Sequence, residues 1–207
     1  MGLAGAGDRR DAVKRLGLTG EVTVIAIASP GPLVPHPTRV GRHAVALVAG
    51  TPVPPPDLRA GTAIAQESAH LPTTLERARL ALRLTDRVNG PGPSLVAYDN
   101  LGALAVLAKR TTPPEAAAIA EVRRLDRILG TRPWVIDTLQ AELDHASPRR
   151  AATGLHVHHS TLQERLVWLA TQLGYSVTKP GGRQRAAVAV LLWRIAHSED
   201  ELADDDG

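Results

Sequence analysis

The chain has 207 residues, of which 43% are hydrophobic, enough for a core in one large or two small domains. With no cysteine, a disulfide framework and a thiolate metal site are excluded. No run of about 18 apolar residues is present, and the start MGLAGAGDRR lacks the apolar stretch of a signal peptide. A soluble cytoplasmic protein with no membrane partner is therefore expected. Aromatic residues make up 2% and Phe is absent, so any core must be aliphatic. Trp134, Trp168 and Trp193 all lie beyond residue 130, which suggests a domain boundary near that position.

In chain order, Glu21 to Ala28 reads as a short apolar strand, Arg39 to Ala49 as a strand or hairpin arm, and Ala60 to Ala65 as another strand. The proline-rich stretches Ser29 to Pro37 and Thr51 to Asp57 cannot be helix or strand interior and are expected to be connectors or edge segments. Leu71 to Arg87 has helical spacing, with Leu75, Ala78, Leu82 and Leu84 or Thr85 inward. Arg77, Arg79, Arg83 and Arg87 are expected on its solvated face. Ser94 to Tyr98 reads as a strand, Asn100 to Lys109 as a short helix capped by Asp99, and Pro113 to Leu129 as a longer helix.

Catalysis is not expected of this region. From Val22 to Ala65 the only acid is Asp57, so carboxylates that could hold metal ions over a phosphate are lacking. There is no Walker loop and no Gly-x-Ser-x-Gly elbow, and Gly2, Gly5 and Gly7 follow no strand that would make them a dinucleotide loop. No cofactor is implied.

The segment Ser147 to Tyr175 reads as a helix, a tight turn and a second helix. Ser147 and Pro148 are suited to the cap and first position of the first helix, and Ala151, Ala152 and Leu155 make a small packing face. After a turn at His156 and Val157, Leu162, Leu166, Leu169 and Leu173 fall on one stripe of a helix from about His158 to Leu173, closed by Gly174. Its outer face carries His159, Ser160, Gln163 and Arg165, near the end that enters a major groove in such motifs. An ordinary three-helix packing unit would share the leucine stripe. Charge separates the two readings: Ser147 to His197 holds seven Lys or Arg against one acid, Glu164, a net +6 that suits a phosphate backbone.

From Trp134 through Ile195 the chain resembles the C-terminal domain of PucR/CdaR-type bacterial transcriptional regulators. Thr138, Leu139, Ala152, Leu155, Val157, His158, Thr161, Leu162, Arg165, Leu166, Gly174, Pro180 and Arg183 fall in register with the family pattern. His159 and Ser160 stand where the family usually has Arg-Asn, Gln163 and Glu164 where it often has Arg-Tyr, and Val167 and Trp168 where it usually has charge. The resemblance implies double-stranded DNA as partner, base reading by His159, Ser160 and Gln163, and phosphate anchoring by Arg149, Arg150, Thr161 and Arg165. A homodimer follows from half-site logic. Val167 and Trp168 suggest a dimer or partner contact, and an alternative function without DNA would act by protein contact through that apolar patch. The effector, small molecule or protein, is left open.

The resemblance also implies a shortened, degenerate GGDEF-like α/β domain upstream, through GTAIA at Gly61 to Ala65, Glu76 to Leu84 and Leu95 to Leu107. The chain then reads as a truncated family member. Its expected fold class is α/β followed by an all-α domain: residues 1–130 the sheet domain, 131–198 the helix-turn-helix domain, and 199–207 a tail. That tail has six acids and is expected to be disordered, either solubilising the protein or screening the basic face. The cluster His156, His158 and His159 suits a capping role for His158 first, DNA contact by His159 next, and a metal last.

Overall fold

A computed structural model describes residues 6–18, 20–28, 37–40, 43–50, 58–86 and 92–198. It divides into two compact units: a sheet unit extending to Arg110 and a helical unit from Thr111 to Ser198. Most of the two proline-rich stretches, the early glycines Gly2 and Gly5, and the acidic tail lie outside the described residues.

The sheet unit contains helix α1 (Ala6–Arg15), strands β1 (Val22–Ile27), β2 (Thr38–Val40), β3 (His43–Ala49) and β4 (Ala60–Ala65), helix α2 (Leu71–Leu82), strand β5 (Leu95–Ala97) and helix α3 (Leu104–Arg110). The strands form one mixed sheet in the order β2-β3-β1-β4-β5. β1 is central and antiparallel to β3 and β4, while β4 and β5 are parallel and joined through α2. Every residue of β1 is buried, which explains its nearly unbroken apolar sequence. Val24 and Ala26 pack with Ala78 and Leu82 of α2 on one face; Ile25 and Ile27 pack with Leu58 and Ala60 on the other.

Gly61 sets how closely α2 lies on the sheet. A Cβ at this position would collide with the backbone of Ala78, Ala81 and Leu82. Only glycine lets strand and helix backbones approach so nearly.

Three expectations are corrected here. Arg79 and Arg83 are buried, not solvated. Arg83 Nη1 donates to the Ala108 carbonyl at 2.7 Å, in the last turn of α3, and Arg79 Nη2 donates to the Val40 carbonyl at 3.1 Å, at the end of β2. Element ends offer carbonyls without internal partners, and a long guanidinium can reach them from an inward-facing position. Asp99 does not cap a helix at Asn100: it sits inside a 3-10 turn, Tyr98–Asn100, and α3 begins only at Leu104. Pro113 to Leu129 is two helices, α4 (Pro113–Ala118) and α5 (Ala120–Leu129), because Ile119 has extended backbone with ψ 134°. Both pack against the last helix, and the compact helical unit runs from Thr111.

The helical unit continues with α6 (Val135–Asp144), α7 (Pro148–Gly154), α8 (His159–Leu173) and α9 (Pro180–Ala196). Its core joins Leu125, Val135, Leu139, Leu162, Leu169, Leu173 and Val190, with the tryptophans partly buried around it.

Gly61→Ala is expected to lower the stability of the sheet unit by about 1–3 kcal/mol through overpacking. Urea unfolding followed by far-UV circular dichroism checks this, and an unchanged midpoint would show that α2 lifts off the strand at little cost.

Candidate nucleic-acid interface

The α7–α8 pair is built from local signals first. Ser147 has extended backbone and its hydroxyl accepts from Arg150 N–H, with Pro148 at the first helical position. Ala151 and Ala152 are fully or nearly fully buried, which allows close approach of α8. The connection turns at His156, a non-glycine residue in the left-handed region with φ 53°. Val157 N–H then donates back to the Ala152 carbonyl at 3.0 Å, closing the turn.

His158 caps α8. Its Nδ1 accepts from Ser160 N–H and lies 2.8 Å from Ser160 Oγ. The first turn of α8 is thereby fixed by a ring nitrogen in place of the usual Ser or Asp oxygen. At the other end Gly174 takes the left-handed conformation with φ 78°, and Arg124 of α5 donates to the Leu173 carbonyl. Arg124 was not singled out from sequence, since nothing near it in the chain points to a helix end 49 residues later.

Between these ends, Leu162, Leu166, Leu169 and Leu173 are at most 5% exposed and seat α8 in the core. A second anchor lies along one flank. The Arg165 guanidinium stands over the Trp134 ring at 4.9 Å and its Nη1 lies 3.5 Å from Thr138 Oγ1. Trp168 meets Trp134 edge-on, ring centres 5.2 Å apart. Aromatic and cation–π contacts of this kind orient a helix as well as bury it.

Residues 135–192 match the family model of the PucR C-terminal helix-turn-helix domain. The helical unit carries a PucR-type DNA-binding domain. This is a regulatory domain and not an enzyme class. No curated protein and no solved structure matches the chain. Among the described residues, no helix is long and apolar enough to cross a membrane.

Within the PucR-type domain, the residues singled out from sequence separate into two groups. Arg149, Arg150, His159, Ser160 and Gln163 are exposed, along α7 and the first turns of α8. Thr161 and Arg165 are half-buried, and Arg165 is directed to Trp134. Val167 is 67% exposed, whereas Trp168 is packed against the core beside Trp134, so the apolar pair does not form one patch. His156, His158 and His159 do not gather a metal site: among the described residues no group of three His, Asp or Glu side chains could hold an ion.

Charge is also redistributed. Arg183 pairs with Glu142 at 3.2 Å and donates to the Leu143 carbonyl, Arg185 pairs with Glu121 at 2.9 Å, and Arg194 donates to Gln140 Oε1 at 2.9 Å. With Arg165 on Trp134, four of the seven cations of this segment serve the fold. Arg149, Arg150 and Lys179 are the exposed ones left for an external anion.

Glu142 has little exposed side chain, and its burial pushes the carboxyl above the usual range even though Arg183 opposes this. A raised folded-state value means stability is fully present below the ordinary glutamate range and declines as pH climbs through it. Glu142→Gln should therefore gain stability relative to the parent as pH rises from 4.5 towards neutrality. Urea titrations followed by tryptophan fluorescence, which reports this unit alone, read the trend; the reverse slope would mean that the Arg183 pair outweighs burial. His156→Gly should stabilise the same unit by about 0.5–1 kcal/mol, because removing the left-handed cost of a side chain exceeds glycine's added chain entropy. A loss of stability would show that the His156 side chain contributes to the turn.

Proposed function

We propose that the protein is a cytoplasmic transcriptional regulator that binds double-stranded DNA as a homodimer, placing the first turns of α8 in the major groove. The observation that carries this reading is the PucR-type domain match, joined to a recognition helix whose apolar stripe is fully seated and whose opposite face is left to solvent. His159 and Gln163 are the base-reading side chains. Ser160 contributes less directly, because its hydroxyl is engaged by the His158 cap. Arg149 and Arg150, at the start of α7, anchor phosphates. Thr161 and Arg165 act behind them, holding the angle of α8.

A dimer is part of the proposal because one helix-turn-helix covers too few base pairs for tight specific binding, and two are usually paired across half-sites. The sheet unit is read as the degenerate GGDEF-like domain of such regulators, with no catalytic role.

The test is a salt titration of binding between the full chain and a random-sequence duplex, followed by fluorescence anisotropy. Affinity should fall steeply with salt. The double variant Arg149→Ala, Arg150→Ala should weaken binding to all sequences alike and reduce the slope of log affinity against log salt by about 4 for the dimer, about 2 for each protomer. Binding that does not respond to salt, or to the loss of both arginines, would refute DNA contact by this face.

A further inference from the structure

The outer face of α8 has an unusual composition for a DNA reader: Ser160, Gln163, Glu164, Val167 and Thr171 are all exposed, and none is Lys or Arg. Two of their polar groups are already engaged. Ser160 Oγ lies against His158 Nδ1, and the Thr171 hydroxyl donates to the Val167 carbonyl at 3.2 Å. Gln163 and Glu164 make no hydrogen bond or ion pair within the described residues, and Val167 is the most exposed large apolar residue described.

The chemistry of base edges can be set against this face. Guanine presents two acceptors, N7 and O6, and is read best by donor-only cations. Adenine presents an acceptor and a donor, N7 and the N6 amino group, which match the amide of glutamine. Thymine adds a C5-methyl, the one apolar group in the major groove, which suits a bare valine. Glu164 can only accept, so it is repelled by guanine N7 and O6 as it is by phosphate.

Resting on the DNA-binding reading above, we propose that Gln163 and Val167 are the specificity-determining pair and that they select A·T base pairs, Gln163 bonding an adenine and Val167 packing on a thymine methyl. The spacing agrees. Four residues along a helix rise about 6 Å, and bases follow one another at about 3.4 Å, so the two contacts fall within two base steps. Glu164, between them, finds no donor on a guanine edge and can accept only from the amino group of an adenine or a cytosine.

The experiment is selection from a randomised duplex library with the full chain, followed by substitutions on both sides of the interface. The selected half-site should hold A·T pairs at its centre. Replacing the contacted thymine by deoxyuridine, which removes only the methyl, should weaken the parent about fourfold, the worth of one buried methyl, and leave Val167→Ala unaffected. Gln163→Ala should lose about tenfold of its preference for the adenine while keeping its salt-dependent binding to random duplex. Selected sites with G·C at these positions, or a deoxyuridine effect equal in parent and Val167→Ala, would overturn the assignment while leaving DNA binding intact. Absence of salt-dependent binding to any duplex would instead overturn the regulator reading, and this one with it.

Discussion

Everything about the exposed face of α8 depends on how that helix is seated. Its leucine stripe fixes rotation about the helix axis, because turning the helix by a single residue position would withdraw Leu162 and Leu166 from the core and bury Gln163 and Val167 in their place. Burying a leucine is worth about 1.5–3 kcal/mol, so four of them hold the register against any preference of the exposed residues. The Trp134, Arg165 and Trp168 cluster fixes the remaining freedom, the tilt of α8 on α6. Arg124 and Gly174 fix where the helix stops. The composition of the outer face can therefore vary without cost to the fold, and in this chain it carries no exposed Lys or Arg.

The arginines show the same division between scaffold and surface. Guanidinium groups in the sheet unit run to carbonyls at element ends, as Arg83 does to Ala108. In the helical unit they tie α9 to α5 and α6 through Glu121, Gln140 and Glu142. The pair of Arg185 with Glu121 is half exposed and contributes little by itself. Arg183, which bonds both Glu142 and the Leu143 carbonyl, is more constraining, because losing it would leave a nearly buried carboxylate alone. A basic sequence segment is thus not the same thing as a basic surface.

That distinction marks how far the sequence was legible. The α7–α8 pair was readable because its signals are local: Ser147 and Pro148 at one cap, leucines at steps of four, three and four, and Gly174 at the end. β4 was readable for a similar reason, since alternative structures for Ala60 to Ala65 have no periodicity to support them. The destinations of Arg79, Arg83, Arg165 and Arg183 were not, because each is decided by a partner 25 to 41 residues away and a guanidinium carries no local sign of which carbonyl or ring it will meet. The break at Ile119 was hidden by an alanine-rich stretch whose propensity favours continuous helix, overridden by the packing of α4 and α5 on α9. Helix α1 escaped notice because among its described side chains only Val13 is buried, too little apolar periodicity to register.

On the proposed DNA-binding reading, the three exposed cations left unpaired between Ser147 and His197 and the uncharged pair Gln163 and Val167 have a joint consequence for selectivity. Non-specific affinity scales with the number of phosphates neutralised, and Arg149, Arg150 and Lys179 supply few contacts per protomer. Discrimination between bases scales instead with matched groups on the edges. Committing Arg165, Arg183, Arg185 and Arg194 to contacts within the helical unit lowers the first without touching the second, so the ratio of specific to non-specific binding can stay high even where absolute affinity is low. A regulator of this composition would depend on the second protomer for affinity and on Gln163 and Val167 for choice of site. On that proposal Glu164 would depress binding to sequences that offer guanine or a misplaced phosphate at the centre of the face.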